Sequence, residues 1–274
     1  MHRPDQRPRL GPCLLIGLAL AYLLVILVGP MIALLIETVR LGASRIIAIF
    51  TRPDAIHAIE MSLALVGIAL CVNAVVGLIG AIAIVRHRFP GRALLSALVD
   101  LPLAISPVMI GLAFLLLLGR GGWLNPVLEA LHLKVIFSFP GLVIATLFVT
   151  LPFTVREIAY VMEEQGTDDE EAATILGASA WQTFWYVTLP NVRLGLAYGL
   201  LMTTARTLGE FGAVLVLGGS ISGKTQTATT FIADAVEERE SAGAYGMAVL
   251  LALTSIVLLL GLEWAKTRSR KVNT

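Results

Sequence analysis

From Met61 to Val85 the chain runs for twenty-five residues without a charged side chain. A helix of about 20 apolar residues crosses the hydrocarbon core of a bilayer, so this stretch alone points to a membrane. Composition extends the point to the whole chain. Hydrophobic residues make up 57% and charged residues 14%, against about 45–50% and about 25% in soluble domains. Too little charge remains to wet a globule of this length. Soluble enzyme, nucleic-acid binder and disordered chain are excluded together. A formal net charge of +1 gives no polyanion-binding signal either. Cys13 and Cys71 sit inside apolar runs, which argues against a disulfide framework or a zinc site. His2, His57, His87 and His132 are scattered through flanks and loops, with no metal-ligand or catalytic spacing. No catalytic residue, metal or cofactor is expected.

Five further segments are candidate spans: 13–36, kinked at Gly29-Pro30; 101–118, interrupted by Pro102 and Pro107; 139–160, entered by Arg156 and Glu157; 194–217, containing Arg206 and Glu210; and 243–262. With 61–85 this makes six. Backbone polar groups in lipid must be satisfied internally, and these runs are too long for barrel strands. The expected fold is an all-α membrane protein, a polytopic bundle of six transmembrane helices. It occupies residues 13–265, between an N-terminal segment 1–12 and a C-terminal tail 266–274. Arg3, Arg7 and Arg9 before the first span resemble a signal-peptide n-region, but the apolar run is too long and no A-x-A site follows. A retained helix is expected. Lys and Arg placement sets the orientation. With the N-terminus inside, Arg3, Arg7, Arg9, Arg86, Arg88, Arg92, Arg156, Arg193, Lys266, Arg268, Arg270 and Lys271 are cytosolic. The outer set is the smaller: Arg40, Arg45, Arg52, Arg120, Lys134, Lys224 and Arg239. Both termini are expected in the cytosol.

Residues 163–192, between the fourth and fifth spans, are too polar to cross and too patterned for a plain loop. Thr167-Asp168-Asp169-Glu170 has the spacing of a capping box, and acidic residues in the first turn suit the helix dipole. A short helix is expected to reach Leu176, with Gly177 in the left-handed C′ conformation. Ser179-Ala180-Trp181-Gln182 repeats the box, and Trp181, Phe184 and Trp185 fall on one face of a second helix that Pro190 ends. The pattern is a helix–turn–helix, which physics alone leaves open as a connector folded onto its own bundle.

Glu171-Ala172-Ala173, then Gly177, then Val187-x-Leu189-Pro190 resembles the EAA signature of permease subunits of ABC importers. Ala205-Arg206-Thr207-Leu208-Gly209-Glu210-Phe211-Gly212-Ala213, with Gly219-Ser220-Ile221-Ser222-Gly223, resembles the fifth helix and following loop of sulfate permeases; molybdate and tungstate permeases share its first part. The resemblance implies a type I importer permease fold in the cell (inner) membrane. It also implies that Glu171, Ala172, Ala173, Gly177, Trp181, Phe184, Leu189 and Pro190 dock a separate ATP-binding subunit, present in two copies. The further implied partners are a second permease chain (a copy or a sister) and an extracytoplasmic solute-binding protein. The cargo implied is sulfate or thiosulfate, with molybdate or tungstate as the alternative. A secondary transporter driven by an ion gradient is the reading from another class; it requires inverted repeats, and none is visible.

Gly218 to Thr225 fits the P-loop pattern G-x-x-x-x-G-K-[ST]. Its context does not: a full span precedes it, and the remainder of the chain ends in another membrane helix. A glycine-rich outer loop is expected instead. Arg206 and Glu210, spaced i, i+4, can pair. Ionisable groups at membrane depth are costly and mark pathways, so Arg206, Glu210 and Phe211 are candidate pathway residues. A packing salt bridge is the competing role. Asn73 is a candidate interhelical hydrogen-bond donor, Gly195-x-x-x-Gly199 a candidate close-approach site, and Asp100 an interfacial anchor.

Overall fold

The computed structural model describes residues 10–272. Residues 1–9, which hold most of the expected N-terminal segment and Arg3, Arg7 and Arg9, lie outside the described residues. In chain order the elements are α1 (Leu10–Leu41), α2 (Ala43–Ile49), α3 (Pro53–Arg86), α4 (Arg92–Ala104), α5 (Pro107–Leu118), α6 (Asn125–Ala130), α7 (Phe139–Gln165), α8 (Asp168–Ile175), α9 (Ala180–Thr183), a π-helical turn (Phe184–Thr188), α10 (Leu189–Leu208), α11 (Gly212–Gly218), α12 (Ala228–Glu237) and α13 (Ser241–Val272). The fold is all-α, with no strand among the described residues. Among the described residues, four helices are long and apolar enough to span, and the number reaches six if each of two bent pairs is one span.

Those bent pairs correct two expected spans. The third is not one rod over 101–118: α4 begins at Arg92, and the chain turns by 115° between α4 and α5. The residue before a proline is pushed out of helical geometry, and Ser106, before Pro107, has extended φ −60° and ψ 137°. The fifth span also breaks, with a 58° bend between the Ala180–Leu208 run and α11. Arg206 therefore lies in the last turn of α10, and Glu210 lies in the break rather than on a helix. Residues 225–242, between the expected fifth and sixth spans, contain α12, which packs on α13 and α3.

Helix α7 sits at the centre, packed chiefly against α3 and α10. Lipid tails are as apolar as leucine, so helices in a membrane are held by close packing and hydrogen bonds. Both are present along α7. The Asn73 amide on α3 donates to Thr150 Oγ1 at 2.9 Å, and Thr150 in turn donates to the Thr146 carbonyl at 2.7 Å. The hydroxyls of Thr154 and Thr203 lie 2.9 Å apart and bridge α7 to α10. Two other neighbours of Thr154 are glycines, Gly77 and Gly199. A Cβ on Gly199 would stand 2.8 Å from Thr154 Cα, and one on Gly77 would stand 2.6 Å from its Cγ2. A Cβ on Gly195 would lie 2.9 Å from the Glu157 carbonyl. Gly195-x-x-x-Gly199 is thus the face on which α10 closes against α7.

Gly199→Ala should destabilise the folded chain in detergent by about 1–3 kcal/mol, the usual cost of overpacking. Gly67→Ala is the control, because a Cβ there meets nothing within 4 Å. Equal denaturant midpoints for the two variants would show that the α7–α10 contact does not depend on Gly199.

Candidate functional site

The 163–192 segment forms the expected hairpin, with two differences. Thr167 does not cap α8: its hydroxyl donates to Glu171 Oε1 at 2.6 Å, and its backbone is near helical, at φ −115° and ψ −1°. The acidic residues of the first turn, Asp168 to Glu171, are left to complement the helix dipole. Gly177 has φ +87°, so the left-handed turn is present. The second capping box forms as expected: the Gln182 amide donates to Ser179 Oγ at 3.3 Å, and the Ser179 amide donates to Gln182 Oε1 at 2.8 Å.

Pro190 does not end the second helix. Phe184–Thr188 winds as a π turn, in which the Leu189 amide reaches back to the Phe184 carbonyl, and the chain continues into α10. Proline in a helix interior removes a donor and crowds the carbonyl four residues earlier, and a wider turn relieves both. A continuous helical path therefore runs from the hairpin into the fifth span.

Trp181, Phe184 and Trp185 form one aromatic cluster, with ring centroids 5.3–6.2 Å apart. Trp181 is 70% exposed, while Ile175 and Leu176 at the hairpin turn are 85% and 87% exposed. Glu171, Ala172 and Pro190 are exposed too, while Ala173 and Leu189 are partly covered. An exposed apolar patch rimmed by charge marks an interaction surface. Ile175 and Leu176 were not among the residues picked from sequence; their place beside Gly177 was the available signal.

At the break in the fifth span, Arg206 Nη1 stands 2.6 Å from Glu210 Oε2, with the Glu210 side chain 1% exposed. Glu210 does more than balance Arg206. Its Oε1 accepts the Ala213 amide at 3.0 Å, capping the start of α11, and its carbonyl accepts the Thr229 hydroxyl at 2.6 Å. The two broken spans meet here: a Cβ on Gly212 would lie 2.8 Å from Val108 Cγ2 and 3.3 Å from Pro107 Cβ. Phe211, half-exposed, flanks the junction. Asp100, expected to anchor at the interface, instead pairs with Arg156, whose Nε reaches Asp100 Oδ1 at 2.6 Å and whose Nη2 reaches Ser96 Oγ at 2.6 Å, tying α4 to α7.

The Gly218–Thr225 loop uses its own hydroxyl internally. Thr225 Oγ1 is buried, donates to the Gly218 carbonyl at 2.7 Å and accepts the Ile221 amide at 3.1 Å. The hydroxyl that a P-loop would turn towards a metal ion is therefore already engaged within the loop. Among the described residues, no group of three or more His, Cys, Asp and Glu is placed to hold a metal ion.

The chain belongs to the family of inner membrane components of binding-protein-dependent transport systems, whose profile matches residues 74–271. It is a permease-type membrane component of such a system. The sulfate transport system permease protein CysW of Synechococcus elongatus is 45% identical over 90% of this chain and 87% of its own length. CysW of Escherichia coli is 42% identical over 94% and 89%, and CysT of Escherichia coli is 33% identical over 94% and 93%. A solved bacterial ABC transporter for alginate import shares the fold, at TM-score 0.75 and 20% identity over 95% of this chain and 96% of that one. This is the type I importer permease fold. The ion-gradient alternative has no support from these relatives.

Gly177→Val places a β-branched residue at φ +87°, a conformation costing L-residues about 1–3 kcal/mol. The variant should remain in the membrane and lose transport. Normal uptake with normal retention of an ATPase partner would dissociate the hairpin turn from function.

Proposed function

We propose that this chain is one permease subunit of an ATP-driven importer that carries sulfate, and thiosulfate with it, into the cell. The observation that carries the mechanism is the uninterrupted helical path from Ala180 to Leu208. One end holds the exposed aromatic cluster, and the other holds the Arg206–Glu210 pair at the span junction. Motion imposed on the hairpin is delivered to that junction through backbone hydrogen bonds. One of two ATP-binding subunits docks on Glu171, Ala172, Ala173, Gly177, Trp181, Phe184, Leu189 and Pro190, and the other docks on the second permease; their closure tilts α10 and alternates access. Coupling of this kind needs an element with two arrangements that both sites bias.

The relatives' names support the cargo, and their grouping supports the partner. Identity is 45% to a CysW-named chain and 33% to a CysT-named one; two kinds of sulfate permease chain among the relatives support a sister of the CysT kind, rather than a copy, as the second permease. A solute-binding protein delivers the anion from outside; a periplasmic protein of that role accompanies one of the alginate transporter structures. Arg206 attracts the dianion, and Glu210 tempers the attraction so that the anion is released. Orientation follows the charge count, with both termini in the cytosol of a cell carrying this chain in its inner membrane.

Labelled sulfate, thiosulfate and molybdate uptake, measured in cells with and without the chain, tests the reading. Sulfate uptake should depend on the chain and molybdate uptake should not; the reverse dependence would reassign the cargo. In the same assay Arg206→Leu/Glu210→Gln removes both charges yet keeps an acceptor for the Ala213 amide. It should fold and retain its ATPase but import poorly. Wild-type uptake would leave the pair a packing salt bridge.

Orientation has its own check. Lys224 and Gln182 are both exposed, so a cysteine at Lys224 should react with an impermeant thiol reagent added outside, and one at Gln182 should not. The opposite labelling would invert the topology.

A further inference from the structure

Glu170 and Glu171 are neighbours in the first turn of α8, yet their side chains do different things. Among the described residues, Glu171 bonds within its own turn, to Thr167. Glu170 is turned inward. Its Oε1 accepts the hydroxyl of buried Thr188, in the π turn, at 2.8 Å, and its Oε2 lies 2.7 Å from Arg86 Nε. Arg86 is the last residue of α3, and its side chain is only 14% exposed. The remaining guanidinium nitrogens donate to carbonyls at the end of α7: Nη1 to Met162 at 3.2 Å and Nη2 to Gly166 at 2.6 Å. One arginine therefore gathers the ends of α3, α7 and α8, and Glu170 extends the knot to the π turn. A second link runs beside it. Gln165 Nε2 donates to the Asn191 carbonyl at 3.0 Å, and Asn191 Nδ2 donates to Asp169 Oδ2 at 3.0 Å.

The backbone joins the hairpin directly to spans four and five, but nothing covalent joins it to α3 except by way of the whole intervening chain. We propose that Arg86 and Glu170 form a strut that makes the ends of α3 and α7 follow the hairpin, so that spans two and four move with span five when ATP is used. The proposal rests on the coupling reading above. A guanidinium suits the role because its planar fork can hold a carboxylate and two carbonyls at once; an ammonium is a single point charge and cannot span all three. Partial burial keeps the pair from being screened as a surface pair is. These are positioning residues, since their contacts run to other helices of the same chain.

The test uses the complete transporter, with sister permease and ATPase subunits, in lipid vesicles supplied with binding protein and sulfate. Retained ATPase subunit, ATP hydrolysis and sulfate uptake are measured together. Arg86→Gln and Glu170→Gln should keep the ATPase subunit and hydrolyse ATP, while sulfate moved per ATP falls by about fivefold or more, the lower end of ordinary coupling free energies. Arg86→Gln/Glu170→Gln should fall no further than the worse single variant, because the two residues act through one contact. Arg86→Lys should recover only part of the ratio. The double variant leaves no unpaired charge, so it is the decisive one if a single variant fails to assemble. A wild-type ratio in the double variant, or losses that add, would overturn the strut. Trp181→Ala/Phe184→Ala separates the two ideas: if it keeps its ATPase subunit, the coupling reading fails. If it loses the subunit while Glu170→Gln keeps the wild-type ratio, the strut alone fails.

Discussion

Thr154 on α7 is the point about which the bundle closes. In water, burial of apolar surface would draw the helices together; between lipid tails that drive is missing, and contact must come from surfaces close enough for dispersion and hydrogen bonding. Thr154 meets α3 at Gly77 and α10 at Gly199, and its hydroxyl reaches Thr203. Four residues earlier, Thr150 takes the Asn73 amide. A side chain at either glycine would hold the helices apart and leave buried hydroxyls and an amide unpartnered in a medium that offers no water. Close approach and polar satisfaction are thus one requirement, met in two turns of one helix.

With that seam fixed, irregular backbone becomes tolerable elsewhere. Non-helical segments at membrane depth survive only where protein surrounds them. The two breaks, after Ala104 and after Leu208, satisfy this by lying against each other at Pro107, Val108 and Gly212. The Glu210 side chain serves the buried amide at the start of α11 and Arg206 together. A nearly fully buried glutamate side chain inside the bundle is therefore held by a helix start and an arginine at once.

Much of this was legible in the residues. Charge-free length foretold the membrane helix around 61–85, Gly177 the hairpin turn and Ser179-x-x-Gln182 a helix start, because each rests on local properties of the chain. The i, i+4 spacing also foretold the Arg206–Glu210 pair. What was missed depended on distant partners or on competition among local options. Thr167 has the capping spacing, but its hydroxyl goes to Glu171, and Glu170, the other member of the expected box, is taken by Arg86 from across the bundle. Asp100 reads as an anchor until Arg156 is seen beside it. Pro102 and Pro107 signalled interruption, but no spacing rule gives a 115° turn. Pro190 was the clearest miss: proline usually stops a helix, and here the preceding turn widened to let it pass.

That widened turn sets a phase relation. A π turn holds one more residue than the α-helical register would, and in an α-helix each residue advances the side chains by about 100° around the axis. The five residues Phe184–Thr188 therefore determine which way the aromatic cluster faces relative to Gly195, Gly199 and Arg206 farther along the same helix. Without the extra residue the cluster and the junction would both survive, each with its own contacts intact, but they would point in mismatched directions. Where the hairpin aims, seen down the axis of the fifth span, is governed by a single residue's worth of helical winding.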